Sequence, residues 1–497
     1  MSNQDLSINT TLSSLRFSIY EGVFANIFAN LTGSVFLPAF ALVLGANSLQ
    51  IGILASAPFF ANLSQLLGAY LVEKLNKRKT IAIRAAFIAR MLWIPIIIMA
   101  FGHSEDPFNS ILHSVIILVI GYHLIAAISS VSWLSWMSSI VPLEIRGRFF
   151  GLRNAILGAA NIIFTLLGGR FLDWFAHNHP NSPQLYAFEI LFSLAVVCGF
   201  LSLIFLSRQH EPTNKRKSQV DFKGLYHSPF RQTNFKKLIR FAVAWSLVVN
   251  MASPFFLVYM LQVLKFNYVT VATLVVSSAF ADLVGMWVWG HVCDKLGHRP
   301  IMIIAAIIAS LLPIVWFFTG KNFGSIYILI PLLHFSGGFF WAGYNLCSVN
   351  LVFRIAPRER NAAFFAFWSA VNGVAAGCGA LLGGLLVKFS QELATSFSLS
   401  QGFQFKIVFL ISGLLRLCSL LFLVKVPEPE SLPFTKTIRV LRNIKSWATM
   451  MGFHPALQFF LPKSESIKNS SPYWPIWRTR KNGAEAEDSK QFQSESV

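Results

Sequence analysis

Twelve runs of mainly apolar residues divide the sequence, and short polar segments separate most of them. A helix needs roughly 20 apolar residues to cross the hydrocarbon core of a bilayer. The chain of 497 residues is only 12% charged, whereas soluble proteins carry about 25%. These features predict an all-α polytopic membrane protein with twelve transmembrane helices. The predicted crossings are 16–44, 49–72, 79–101, 110–140, 147–174, 184–206, 237–264, 268–292, 299–318, 325–355, 361–389 and 403–425.

A long-period repeat relates the first half of the sequence to the second. Three landmarks recur in the same order at a spacing of roughly 220 residues, a regularity typical of transporters built from two related halves. The paired landmarks are Glu73 with Asp294, Pro142 with Pro357, and Glu211 with Glu428. The repeat therefore predicts two pseudo-symmetric bundles of six helices each.

The most specific landmark is the segment 290–299, GHVCDKLGHR, with a weaker copy at 69–78, AYLVEKLNKR. Each copy has a small residue, a carboxylate four positions later, a turn-forming residue three positions after that, and then two basic residues. This pattern resembles the loop motif that joins helices 2–3 and 8–9 in transporters of the major facilitator superfamily. The resemblance covers about residues 12–428, and it implies two bundles around one cavity with transport by alternating access.

The resemblance also implies a role for these loops as latches of one transport state. We expect the motif carboxylates to accept hydrogen bonds from nearby helix N-termini and to pair with arginine. A second pair of matching loops, after helices 4 and 10, predicts a charged gate, although a solvated loop is the open alternative. The predicted motif and gate residues are Glu73, Lys77, Arg78, Gly290, Asp294, Gly297, Arg299, Glu144, Arg146, Glu359 and Arg360. The first copy departs from the pattern at Ala69 and Asn76.

The net charge of +20 is explained by the membrane topology and does not indicate nucleic-acid binding. Most Lys and Arg residues fall in segments that lie on one side of the membrane, which the positive-inside rule identifies as cytoplasmic. Both termini are then cytoplasmic, and a bacterial inner membrane is the simplest location. The predicted division is an N-terminal segment 1–15, a bundle 16–206, a linker 207–236, a bundle 237–427 and a basic tail 428–497 with an amphipathic helix at 436–451.

Polar residues inside membrane helices are costly and are functional candidates by default. In the superfamily that the chain resembles, helices 1, 4, 7 and 10 line the cavity, so polar and aromatic residues of these helices are the candidates for substrate contact. Helix packing remains the alternative for each asparagine, and a satisfied packing role remains the alternative for each histidine. The predicted substrate-binding residues are Asn26, Asn30, His123, Asn250, His334, Trp341, Tyr344 and Asn345.

Two carboxylates are candidates for proton coupling. Asp282 lies about three turns inside the predicted inner end of helix 8, by the 3.6-residue helical repeat, and His123 or His334 would assist it. Glu21 is the second candidate, with a gating role or a side chain that reaches the membrane surface as the alternatives. We expect a secondary transporter that moves a small organic solute with protons.

Other classes find less support in the sequence. Cys198, Cys293, Cys347, Cys378 and Cys418 lack metal-ligand spacing, so we interpret them as buried hydrophobic residues and predict no metal or cofactor. The sequence contains no cluster of nucleophiles that would indicate an enzyme. It also contains no P-loop, which would indicate direct use of ATP. The alternative function is a transport-inactive receptor or assembly factor with the same fold. We expect a monomer with no nucleic-acid partner.

Overall fold

The computed structural model describes residues 3–101, 108–142, 145–211, 232–357, 361–400 and 402–428, together with 436, 437 and 440. Within these residues, twelve helical spans are long and apolar enough to cross a membrane, which confirms the predicted fold class. The spans, labelled α1 to α12 in chain order, are Thr11–Val43, Ser48–Leu75, Arg78–Met99, Ile111–Ile140, Arg146–Asn178, Leu185–Ser207, Thr233–Val263, Tyr268–Leu296, His298–Phe317, Ser325–Ile355, Phe364–Ser396 and Phe403–Leu423.

Helix packing repeats between α1–α6, the N-terminal half, and α7–α12, the C-terminal half. In the first half α1 packs on α5 and α6, while α4 packs on α2 and α3. In the second half α7 packs on α11 and α12, while α10 packs on α8 and α9. The same neighbours recur in the same order, so the two bundles are pseudo-symmetric as the sequence repeat predicted.

The two halves meet mainly through the helix pairs α2–α11 and α5–α8. A Cβ on Gly52 of α2 would lie 2.7 Å from the carbonyl oxygen of Ala380, and a Cβ on Gly169 of α5 would lie 2.9 Å from that of Tyr268. One hydrophobic cluster crosses the seam there and includes Phe36 and Phe255. These contacts lie towards the end that carries the turns 44–47 and 264–267, which we call the closed end.

Towards the other end, which carries the turns 76–77 and 297 and which we call the basic end, α2 and α11 diverge. A cavity of about 550 Å³ separates them and is lined by apolar residues of α2, α7 and α11, including Leu66, Val243 and Val374. The second hydrophobic cluster, near the basic end, contains residues of the N-terminal half such as Trp136 and Phe149. The structure is therefore a conformer that is sealed at the closed end and open towards the basic end.

The turns after α2 and α8 both use a residue with positive φ, but their conformations differ. Asn76 ends α2 in the left-handed region, with φ 51° and ψ 32°, which asparagine tolerates better than most residues. Gly297 ends α8 with φ 95° and ψ 159°, outside that region. The two motif copies therefore turn the chain in different ways.

The predicted domain boundaries remain predictions. The chain divides into the units Met1–Phe434 and Thr435–Val497, and of the second unit only residues 436, 437 and 440 are described, as helical. The rest of the predicted amphipathic helix 436–451 and most of the linker 207–236 lie outside the described residues.

Glycine at position 383 should be essential for the packing of α11 on α7. A Cβ there would lie 2.0 Å from the carbonyl oxygen of Met251, a backbone atom that cannot rotate away. We expect Gly383→Ala to destabilise the protein by about 2 kcal/mol, as overpacking typically does, and to lower the midpoint of thermal unfolding in detergent.

The matched control is Gly158→Ala in α5, where a Cβ would meet no atom within 4 Å. Alanine is the better helix former, so this variant should be as stable as the parent protein or slightly more stable. Equal stability of the Gly383→Ala and Gly158→Ala variants would contradict the packing.

Candidate transport site

A buried ion pair joins α1 to α5. Nη2 of Arg153 lies 3.2 Å from Oε2 of Glu21, and Nε of Arg153 donates to the carbonyl oxygen of Ser18 at 3.2 Å. Glu21 is 7% exposed and Arg153 is 8% exposed, so each charge depends on the other for compensation. The sequence predicted a site role for Glu21 but none for Arg153. The proximity of Arg153 to the basic connection before α5 hid its burial.

Two neighbours fix the position of the Arg153 guanidinium. It lies over the Trp133 ring of α4, 4.5 Å from the ring centroid, at a distance typical of a cation–π contact. A Cβ on Gly22 would lie 2.5 Å from Nη2 of Arg153, so glycine leaves the room that the guanidinium fills. The ion pair therefore contacts α1, α4 and α5 at once.

A buried arginine links the third and sixth helices of each half. Arg90 of α3 donates to Oγ of Ser202 in α6 at 2.7 Å, and Arg416 of α12 donates to the carbonyl oxygen of Ala309 in α9 at 3.0 Å. Nε and Nη1 of Arg90 have no hydrogen-bond partner among the described atoms. Arg90 also lies near enough to Glu21 for their opposite charges to attract each other.

The predicted asparagines make helix-packing contacts. Nδ2 of Asn26 donates to a backbone carbonyl of α5 at 2.8 Å. Nδ2 of Asn30 donates to another carbonyl of α5 and to Oγ1 of Thr165, both at 2.9 Å. Asn250 bonds a carbonyl of its own helix, α7, at 2.8 Å. In this conformer Asn26 and Asn30 make the contacts between helices that the packing alternative predicted, whereas Asn250 bonds within its own helix.

The two predicted histidines lie in different surroundings. His123 of α4 is half-buried, with its ring 4.9 Å from that of Tyr122. The ring of His334 lies 5.8 Å from that of Trp316 in α9, and its Nε2 is buried without a hydrogen-bond partner among the described atoms. His334 therefore packs within the C-terminal half.

An aromatic cluster lies between α7 and α10. The rings of Trp245 and Tyr344 stack at 4.9 Å, and the Trp341 ring lies 5.3 Å from that of Tyr344. Trp245 and Tyr344 are buried, Trp341 is half-buried, and Asn345 is exposed. The structure thus brings two of the predicted substrate residues, Trp341 and Tyr344, together with Trp245, and the exposed Asn345 follows them in the same helix. Flat apolar faces beside an accessible amide can bind a small ring-shaped molecule.

Asp282 is half-buried in α8, and no hydrogen bond or ion pair within the described part of the chain involves it. It does not join the Glu21–Arg153 pair, which lies in the other half. The predicted polar residues are also absent from the lining of the apolar cavity between α2, α7 and α11.

Glu211 and Glu428 cap the helices that follow the loop motif. Glu211 accepts a hydrogen bond from the amide of Lys79 at 3.1 Å. Glu428 accepts from the amides of His298 at 3.2 Å and of Arg299 at 2.7 Å. Helix N-termini favour a carboxylate in this position. The motif carboxylate Asp294 is exposed and takes no part in these bonds, although the sequence predicted the capping role for it.

The remaining motif residues lie at the turns. Lys77 directly precedes α3, and Arg78 donates to a backbone carbonyl of α4 at 3.5 Å. The Arg299 side chain donates to a carbonyl just after α12. A Cβ on Gly290 would meet no atom within 4 Å, so packing in this conformer does not require glycine there. Glu73 lies in the last turns of α2.

The predicted charged gate is described only in part. Arg146 donates to the carbonyl oxygens of Ser138 at 2.9 Å and Val141 at 3.3 Å, so it closes the turn between α4 and α5. The other predicted gate residues, Glu144, Glu359 and Arg360, lie outside the described residues.

A carboxylate of the N-terminal half caps a helix of the C-terminal half. Oδ1 and Oδ2 of Asp173 accept hydrogen bonds from the amides of Tyr268 at 2.9 Å and Val269 at 2.7 Å. The side chain of Asn267 accepts from the next amide, that of Thr270, at 2.9 Å. Asp173 thus joins α5 to α8 at the closed end. Its partners lie 95 or more residues along the chain, so no local pattern marks it.

The chain is similar to known proteins in its sequence and in its fold. The model of the Major Facilitator Superfamily matches residues 22–347 and 242–478. The solved nucleoside transporter NupG has a TM-score of 0.60 at 13% identity, over 83% of this chain and 99% of that one. A D-xylose–proton symporter has a TM-score of 0.59 at 18% identity, over 87% and 99%.

A bacterial homologue of the human lysosomal transporter Spinster, in an inward-facing and unoccupied conformation, has a TM-score of 0.57 at 12% identity, over 86% and 96%. At these identities the likeness shows the fold alone. No curated protein matches the chain in sequence.

Replacing Asp173 with asparagine should weaken the closed end. The amide keeps the size of the side chain but removes the charge and one acceptor, which at a helix N-terminus costs about 1 kcal/mol. We expect the population open at that end to rise about fivefold. The readout is the rate at which a membrane-impermeant thiol reagent labels Ala272→Cys, a position that packs against Gly169.

The matched control is Glu392→Gln, an exposed carboxylate of α11, which should leave the labelling rate unchanged. Labelling that is no faster in the Asp173→Asn background than in the parent protein would show that this cap does not hold the closed end.

Proposed function

The chain belongs to the Major Facilitator Superfamily, and from that membership we propose that it is a proton-coupled secondary transporter of a small polar organic solute. The family and fold are those of transporters. The observation that carries the coupling proposal is the buried ion pair between Glu21 and Arg153. An ionisable pair inside a membrane bundle is costly and is a functional candidate by default.

The coupling would use the charge of Glu21. Protonation neutralises the carboxylate and leaves Arg153 with its bond to Ser18 and its contact with Trp133. The positive charge near α1 and α4 would then be uncompensated, and Arg90 adds to it. Gain or loss of one proton at Glu21 would therefore change the charge that the N-terminal half presents towards the predicted central cavity.

The solute would bind in the C-terminal half at the aromatic cluster of α7 and α10. The half-buried Trp341 offers a ring face, with Tyr344 packed against it, and the exposed amide of Asn345 offers both a donor and an acceptor. This chemistry suits a sugar, a nucleoside or a similar ring-shaped metabolite. NupG is a nucleoside transporter and the second structural neighbour is a D-xylose–proton symporter, which is consistent with this class.

We also propose a bacterial inner membrane as the location, with both termini cytoplasmic and a monomer as the working unit. The basic end would then face the cytoplasm by the positive-inside rule, and the described conformer would be inward-facing.

Substitution of Glu21 by glutamine should separate coupling from transport. Glutamine keeps the shape and an acceptor for Arg153 but carries no titratable proton. In proteoliposomes with a panel of radiolabelled pentoses, hexoses and nucleosides, solute accumulation driven by an imposed pH gradient should fall at least about tenfold. Glutamine cannot take up and release a proton in this pH range, so the imposed pH gradient would no longer drive net uptake through this position. Counterflow exchange, which needs no net proton movement, should persist.

The control is Glu392→Gln, an exposed carboxylate of α11, which should accumulate solute as the parent protein does. Accumulation by the Glu21→Gln variant with an unchanged response to the pH gradient would remove Glu21 from the mechanism. Loss in Asp282→Asn alone would transfer the coupling to α8, whereas full uncoupler sensitivity in that variant would argue against Asp282.

Trp341→Leu should weaken solute binding without abolishing transport. Loss of ring stacking is worth roughly 1–1.5 kcal/mol, so the half-saturation concentration in counterflow should rise about tenfold. The matched control is Trp287→Leu on α8, which is 48% exposed and lies outside the cluster. An unchanged half-saturation concentration for Trp341→Leu would place the solute elsewhere.

A transport-inactive receptor with the same fold is the alternative. It predicts that the parent protein shows no counterflow with any member of the panel. A transporter that couples protons through a residue other than Glu21 would instead show counterflow, and its pH-driven accumulation would be unchanged in the Glu21→Gln variant.

A further inference from the structure

Three side chains with ligand atoms meet where α8, α9 and α10 adjoin at the basic end. Sγ of Cys293 in α8 lies 2.7 Å from Sγ of Cys347 in α10. A ring nitrogen of His298, the first residue of α9, completes a group whose ligand atoms all lie within 4.8 Å of one another. The three residues are 1%, 0% and 5% exposed. The sequence predicted only buried hydrophobic cysteines, because the two thiols are 54 residues apart.

Helix packing holds the two cysteines in register. Trp289, one turn before Cys293, donates its indole N–H to the carbonyl oxygen of Phe339 in α10 at 2.9 Å. A Cβ on Gly343, one turn before Cys347, would lie 2.8 Å from the Trp289 ring. Since one helical turn brings the next residue to the same face, this close contact places the two thiols opposite each other.

The backbone of His298 is fixed by its neighbours, and one nitrogen of its ring is available to bind a ligand. Gly297, with its φ of 95°, turns the chain from α8 into α9, and Glu428 accepts the amide hydrogen of His298. Nδ1 of His298 is buried and has no hydrogen-bond partner among the described atoms. A buried polar atom without a partner is rare in folded proteins, and a ligand in the adjacent group would supply one.

We propose that Cys293, Cys347 and His298 bind one thiophilic d¹⁰ cation, Zn²⁺ or Cu(I). The group consists of two sulfur ligands and one imidazole nitrogen, the donors that these ions prefer, whereas Ca²⁺ and Mg²⁺ require oxygen ligands. Binding would release the two thiol protons. The resulting thiolates balance the charge of Zn²⁺ or leave one negative charge with Cu(I).

Two Zn–S bonds of about 2.3 Å place their sulfurs roughly 3.8 Å apart in tetrahedral geometry, so binding would move the two thiols, which now lie 2.7 Å apart, away from each other. A bound ion would join three helices of the C-terminal half at the turn of the loop motif. It would stabilise the start of α9 beside the cap that Glu428 provides. The site is distinct from the Glu21–Arg153 pair and from the aromatic cluster, so it does not depend on the proposed solute or on the proposed coupling.

Metal titration of the purified protein tests the proposal. Full-length protein in detergent is treated with a chelator and a phosphine reductant, and Co²⁺ is added as a spectroscopic stand-in for Zn²⁺. We expect one equivalent to bind, with a sulfur-to-cobalt charge-transfer band. Competition with a chromogenic zinc chelator in one arm, and with bicinchoninate for Cu(I) under anaerobic conditions in the other, distinguishes the two ions.

The decisive variants are Cys347→Ser and His298→Ala, with Cys198→Ser, another buried thiol, as the matched control. Loss of a ligand should weaken binding by at least about tenfold, weaken the charge-transfer band in Cys347→Ser, which keeps only the Cys293 thiolate, and abolish the rise in thermal stability that the metal gives the parent protein. Cys198→Ser should retain all three. Size-exclusion profiles and thermal unfolding without metal show that each variant is folded.

Two results would overturn the proposal. One is the absence of saturable binding near one equivalent, or binding that Cys347→Ser and His298→Ala leave intact. The other is a Cys293–Cys347 disulfide that persists in the reductant, since its sulfurs would no longer be available as thiolate ligands.

Discussion

Backbone contact between the two halves is the interaction on which the closed end depends. In a bilayer no hydrophobic force draws helices together, because lipid tails are as apolar as leucine, so close packing and hydrogen bonds decide. Gly52 and Gly169 let α2 and α5 approach the backbones of α11 and α8. These contacts can separate without leaving a polar side chain without its hydrogen-bond partner. Asp173 is the exception, because opening would leave the two amides at the start of α8 without their acceptor.

Capping carboxylates show how closely the two halves correspond. Glu211 binds the start of α3 and Glu428 binds the start of α9, each from the segment that follows the last helix of its own half. The residues supply the same bond at equivalent places in the repeat. The buried arginines differ instead, since Arg90 comes from the third helix of its half and Arg416 from the sixth. The two halves therefore have the same helix arrangement and equivalent caps, but their buried polar residues differ.

The sequence predicted the elements that depend on local pattern. Twelve apolar runs identified the spans, and the paired landmarks identified the duplication. The two turns were also within reach, since Asn76 and Gly297 are residue types that adopt positive φ. What lay beyond the sequence depends on distant partners. Glu211 and Glu428 were recognised as landmarks, but their partner amides lie 132 and 130 residues away, and capping was expected of Asp294 instead.

Dependence on distant partners also explains why the sequence did not predict some residues and contacts of the site. Arg153 has the sequence context of a loop charge, and only the packing of α5 on α1 reveals its pairing with Glu21. Cys293 and Cys347 become neighbours only because α8 packs on α10 through Trp289 and Gly343. Polarity by itself also misled, since Asn26 and Asn30 bind α5 rather than a cavity. A polar residue in a membrane helix predicts a partner, and the fold decides which partner it is.

The uneven distribution of polar chemistry constrains how the proposed coupling can work. The ion pair belongs to the N-terminal half and the aromatic cluster to the C-terminal half. Because Glu21 and Arg153 lie in one bundle, protonation does not break a bond across the seam. On the proposed function, a proton at Glu21 would therefore act on the solute through the charge of the N-terminal half and not by breaking a bond between the halves. Coupling is then electrostatic across the predicted central cavity, while Asp173 and the glycine contacts set the mechanical balance between the two ends.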